Sequence, residues 1–100
     1  MPIELTKDGA RWTLALSGVV SVAHAAELAV SARAAAAAGA GEVVVRAAGV
    51  HALDTAALQI LIALRRALAA QGRTLRVDGA PAALVAQWQR AGLAAELGAG

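Results

Sequence analysis

Apolar and polar positions change period several times along the chain, and each change marks an element. Ile3–Thr6 predicts a short strand, and Lys7-Asp8-Gly9 a turn. Trp12, Leu14 and Leu16 then alternate with Thr13, Ala15 and Ser17, the pattern of a second strand hairpinned to the first. Gly18 ends or bends it. Ser21 is a natural cap for a helix reaching about Ala38, on which Leu28 and Ala32 share a thin apolar face with Ala25 and Ala35. Gly39 and Gly41 stop that helix.

Val43-Val44-Val45, inside Glu42–Arg46, is β-branched and does not alternate, as in a central or parallel strand covered on both sides. A loop carrying His51 comes next. Asp54 then opens a helix running to about Gln71, with an apolar stripe through Leu58, Leu61, Ile62, Leu64 and Leu68 and a C′ glycine at Gly72. Arg73–Asp78 reads as a strand. Pro81 fits the first turn of a last helix, whose apolar face is Leu84, Val85 and Trp88. Gly92 stops it, and Leu93 and Leu97 are expected to fold back onto the core. The order is ββαβαβα, an α/β fold with a mixed β-sheet and right-handed β-α-β crossovers.

At 100 residues the chain has the length of one domain, expected over residues 1–97 with a frayed tail at 98–100. Its hydrophobic content of 59% overstates the core, because much of it is alanine, which buries little area and favours helix. The absence of cysteine excludes a disulfide scaffold, a thiol nucleophile and thiolate metal sites. A net charge of +2, with Arg65-Arg66 as the only adjacent basic pair and no Phe or Tyr, gives no footprint for nucleic acid. No stretch is long and apolar enough to span a bilayer, and the first residues lack the basic-then-apolar pattern of a signal peptide, so a cytoplasmic protein is expected.

In this order the segments resemble the STAS domain, the fold of bacterial anti-sigma-factor antagonists. "TLALSG" resembles the family's second strand and turn. "EVVVRAAGVHALDTAALQILIALRRALAAQG" resembles its core of strand, loop, Asp-Ser/Thr step and helix, and "TLRVDGAPAALVAQWQRAGLAAEL" its closing strand and helix. In the antagonists an acid precedes two hydroxyl residues, and the second hydroxyl is phosphorylated. The resemblance places Asp54 on the acid, Thr55 on the first hydroxyl and Ala56 on the phosphoacceptor, with Ala57 in place of the usual glycine. Ala56 has no oxygen to phosphorylate. Asp-Thr followed by small residues is also similar to chemotaxis-associated STAS proteins and to the STAS subunit of the bacterial phospholipid transporter.

The candidate partner-binding residues are His51, Asp54, Thr55, Ala56, Gln59, Ile62 and Arg66. Each has a plain structural alternative. Asp54 suits a helix cap. Thr55, the candidate for phosphorylation, suits an ordinary first-turn residue. Ile62 suits the core, and Arg66 suits the end of a helix dipole. His24 and His51 lie far apart, with no ligand cluster, so no metal and no cofactor is expected. Neither a GxGxxG nor a GxxxxGK[ST] loop occurs, and no serine has a nucleophile-elbow context. The resemblance, with no catalytic pair in view, implies a non-enzymatic interaction module whose partner is a regulatory protein, a kinase or a transporter ATPase. A small-ligand sensor ranks lower. A homodimer is compatible with an exposed alanine-rich first helix or an exposed Trp12.

Overall fold

A computed structural model describes residues 3–90 and 92. The elements are β1 (Ile3–Asp8), β2 (Arg11–Val20), a 3₁₀ turn (Val22–His24), α1 (Ala25–Ala37), β3 (Val43–Leu53), α2 (Thr55–Ala70), β4 (Leu75–Asp78) and α3 (Ala82–Arg90). The ββαβαβα order therefore matches the expectation. The sheet is β1-β2-β3-β4, antiparallel at β1/β2 and parallel at β2/β3 and β3/β4. The expected packing of Leu93 and Leu97, and the frayed tail, fall outside the described residues.

Register separates the two faces of the sheet. Ile3, Leu5, Leu14, Leu16, Val43, Val45, Leu75 and Val77 share one face. They meet Leu28, Ala32 and Ala35 from α1, Leu58, Leu61, Leu64 and Leu68 from α2, and Leu84 and Trp88 from α3 in a single core. The other face carries Glu4, Thr6, Thr13, Arg46, Arg76 and Asp78. Val44 is buried on that polar face, flanked in register by Thr13 and Arg76. The valine run thus marks a central strand, although the helices that supply the core lie over one face of it. Trp88 is almost fully buried, whereas Trp12 is half-buried with Lys7 Nζ 5.5 Å from its ring centroid.

β3 differs most from its expected extent. It continues past Arg46 to Leu53, so His51 lies in a strand rather than a loop. β2 advances from Ala15 to Ser17 while β3 advances from Arg46 to Gly49, and from Gly18 to Val19 while β3 goes from Val50 to Ala52. Each step inserts one extra β3 residue, a bulge that reverses the facing of the strand residues beyond it. The buried positions accordingly pass from Val43, Val45 and Ala47 to Val50 and Leu53. A period of three is not a strand signal in sequence, so this half has the pattern of a loop. Gly18 likewise lies within β2, with a φ of 67°, and bends it rather than ending it.

One buried charge organises the opposite end of the sheet. α2 closes with Gly72 at φ 71°, Gly72 N–H donating to the Ala69 carbonyl and Arg73 N–H to that of Leu68. This Schellman arrangement delivers Arg73 beside the end of α1. Its guanidinium donates to the carbonyls of Ala35 at 3.0 Å, Ala36 at 3.2 Å and Gly41 at 2.9 Å, and to Gln71 Oε1 at 2.8 Å. The side chain thereby satisfies carbonyls that the helix end leaves open.

Candidate functional site

The Asp54-Thr55 step stands where β3 ends and α2 begins. Asp54 N–H donates to the Val20 carbonyl at 2.8 Å, so the β2/β3 ladder runs up to the helix cap. Asp54 is extended (φ −67°, ψ 153°), and its carboxylate accepts from Ala56 N–H at 3.1 Å. Its own carbonyl accepts the first turn's bond from Leu58 N–H at 2.9 Å. Asp54 is therefore the N-cap, and it anchors the junction through three backbone-directed interactions while its side chain remains exposed.

The neighbouring connection is held by a second cap. Ser21 hydroxyl accepts from Ala23 N–H at 3.3 Å, and His24 Nδ1 accepts from Ser21 N–H at 3.2 Å. This reciprocal box caps the 3₁₀ turn before α1, so Ser21 caps that turn rather than α1 itself. An imidazole fills the place usually taken by Glu or Gln. His24 thus has a local structural task, and nothing draws it towards His51. Among the described residues, no group of three His, Cys, Asp or Glu could hold a metal ion.

The structure brings five of the seven candidate residues to one end of the molecule. His51, Asp54, Thr55 and Gln59 are exposed there and Ala56 is half-exposed, with Gln59 one turn along α2 from Thr55. Ile62 corrects the expectation, because it is only 3% exposed and belongs to the core. Its apolar side chain closes the margin of the buried helix face. Arg66 is exposed, but eleven positions beyond Thr55 on a 1.5 Å rise put it roughly 16 Å away along the axis. Ala57 is fully buried, so a small residue is required immediately behind the exposed step.

Three exposed apolar residues at this end were missed from sequence. Val19, on the last part of β2, is 59% exposed, and Val22, on the 3₁₀ turn, is 66% exposed. Ala52 pairs with Val19 in register and is exposed beside it. Nothing in the sequence around Val19 and Val22 distinguishes them from core valines.

An open-faced mixed sheet whose exposed acid-hydroxyl step caps the helix after its central strand defines a small α/β module of the anti-sigma-factor-antagonist fold. The chain matches the family model described as "Mlab, STAS domain" over residues 3–98, and it belongs to the STAS domain family. Among solved structures it is similar to the Bacillus cell fate determinant SpoIIAA in its phosphorylated form, with a TM-score of 0.74 at 16% identity over 93% of this chain and 86% of that one. The anti-sigma factor antagonist SpoIIAA in its unphosphorylated form gives 0.71 at 14% identity, covering 86% of this chain and 82% of that one. Mglu gives 0.63 at 22% identity over 75% of this chain, which spans 19% of Mglu. At these identities the likeness is one of fold. No curated protein matches the chain in sequence.

Proposed function

We propose that this protein is a non-enzymatic interaction module that binds a regulatory partner through the Asp54-Thr55 junction and the first turn of α2. The observation that carries the reading is the junction itself. Asp54 is locked by the Val20 carbonyl and the Ala56 amide, yet the Asp54 and Thr55 side chains both face solvent. A recognition step already fixed in place loses little conformational freedom on association. Bacterial signalling is the setting we favour, with a kinase or chemotaxis-related protein as partner, and a cytoplasmic location accompanies it. No helix among the described residues is long and apolar enough to cross a membrane.

Ala56 bears directly on regulation. It stands where the resemblance puts the phosphoacceptor, so any covalent switch at this turn falls to Thr55. A phosphate there would add about two negative charges beside the Asp54 carboxylate. A second reading, an accessory subunit bracing a transporter ATPase, uses the same exposed Thr55 and differs only in the partner.

Affinity purification from the native cell at low salt, with the Thr55→Glu form alongside, tests the reading. The wild-type chain should retain a signalling protein or a transporter ATPase, and the variant should release it. Identical partners held with identical affinity by both forms would overturn the junction as the binding site.

A further inference from the structure

We infer that the Asp54 junction receives a protein segment presenting an aliphatic or aromatic side chain next to an arginine or lysine. This inference rests on the junction being the binding site and specifies the chemistry of the partner. Two of the three large hydrophobic residues exposed among the described residues, Val19 and Val22, stand at this end, the third being Val30 on α1. Single exposed valines are ordinary on protein surfaces. Here, however, Val19 is paired with exposed Ala52, and Val22 lies three residues later on the turn that packs against α2. Exposed apolar positions thus share this end of the sheet with the carboxylate of Asp54, whose backbone is tied to Val20.

Charge selects the occupant. Between Arg11 and Glu27 the chain has no Asp, Glu, Lys or Arg, and between Arg46 and Arg65 it has only Asp54. The later part of the first stretch, from Ser17 to His24, and the middle of the second, from Gly49 to Gln59, lie at this end of the molecule. The sheet's other charges lie on its open face or at the opposite end, where Glu42 sits 3.6 Å from Arg11 and 3.8 Å from Arg76. Within these two stretches the exposed apolar positions are therefore accompanied by one acidic side chain, that of Asp54. A cation beside it gains a charge-assisted hydrogen bond to the exposed Asp54 carboxylate. An acidic segment meets like charge, and a wholly apolar one leaves the carboxylate partly desolvated without compensation. An apolar anchor flanked by a cation satisfies both halves of the surface.

A phage-displayed random-peptide library, selected on the immobilised wild-type protein, provides the probe. An enriched peptide is then synthesised and titrated against wild type, Val19→Thr/Val22→Thr, Asp54→Asn and Thr55→Glu, with amide chemical shifts locating the site. Threonine preserves the shape of valine at these exposed positions, so the fold is retained. The expected consensus is a large apolar residue adjacent to Arg or Lys. Affinity should fall about tenfold in the double valine variant. It should fall about threefold in Asp54→Asn, with loss of most of its salt dependence. Several results overturn the inference: no enrichment, a consensus without a basic residue, or shifts confined to residues away from Val19, Val22 and the Asp54 junction. Undiminished affinity in the valine variant together with loss in Thr55→Glu rejects this chemistry but leaves the junction as the site. Equal binding by all four proteins rejects both.

Discussion

The two ends of the mixed sheet use their polar groups in opposite ways. At the end where β3 begins, Arg73 is 8% exposed and its guanidinium is directed at the carbonyls of Ala35, Ala36 and Gly41. Gln71 Nε2 adds a bond to the Ala36 carbonyl at 3.1 Å, and Gly41 lies against the Ala10 carbonyl. At the end where β3 finishes, the caps are local. Asp54 and Ser21 reach backbone amides two residues away and leave Thr55, Val19 and Val22 in solvent. One end is closed by contacts between residues far apart in the chain, and the other is rigid yet open. An exposed recognition surface needs a stable backbone beneath it, and the long-range clamp supplies part of that stability from the far side.

Substitution at Gly41 is the strongest way to break this contrast. Its φ of 100° disfavours any side chain, and a Cβ would collide with the Ala10 carbonyl oxygen. Gly41→Ala should cost about 3 kcal/mol in chemical denaturation, because backbone must move to relieve the overlap. Next, Arg73→Ala should cost about 2 kcal/mol, since three carbonyls lose a charged donor in a buried setting. Hydrogen exchange should quicken in the last turn of α1 and not at the start of α2. Arg73→Lys should recover only part of the loss, because an ammonium does not reproduce the fork of donors.

At the open end the effects on stability should be smaller. Asp54→Ala should cost about 1 kcal/mol, whereas Asp54→Asn, which keeps a cap acceptor, should stay within about 0.5 kcal/mol of wild type in urea titrations. A loss as large as that for Arg73→Ala would show that the junction carries fold stability beyond a cap. Glu42→Gln should change stability by less than about 0.5 kcal/mol, because its ion pairs with Arg11 and Arg76 are long and partly solvated. Thr55→Glu should leave the melting temperature nearly unchanged, an added negative charge at a helix N-terminus being tolerated. Its consequence should appear in partner affinity by calorimetry, which separates surface from scaffold.

Much of this fold was legible because its signals are local. Alternation at Trp12, Leu14 and Leu16 gave the hairpin, and Asp54 and Gly72 marked the two ends of α2. The Leu84-Trp88 spacing gave the buried face of α3. The second half of β3 was not legible, since two bulges turn a strand's period of two into the three-residue steps Ala47, Val50 and Leu53. Arg73 was equally hidden. It read as the first residue of a strand, and the backbone carbonyls it closes lie more than thirty positions earlier in the chain.

The candidate site divides along the same line. Asp54, Thr55 and Ala56 could be identified from their order alone, because a cap and a missing hydroxyl are properties of adjacent residues. Ile62 could not be assigned, since a residue at the margin of a helix face is exposed or buried according to what packs beside it. Val19 and Val22 could not be distinguished from core valines for the same reason. Sequence determined the elements, their order and the chemistry of the turn, all governed by neighbours within a few bonds. Tertiary structure decided which apolar side chains stay in water and which carbonyls a distant arginine closes, because burial depends on surfaces that meet only when the chain is folded.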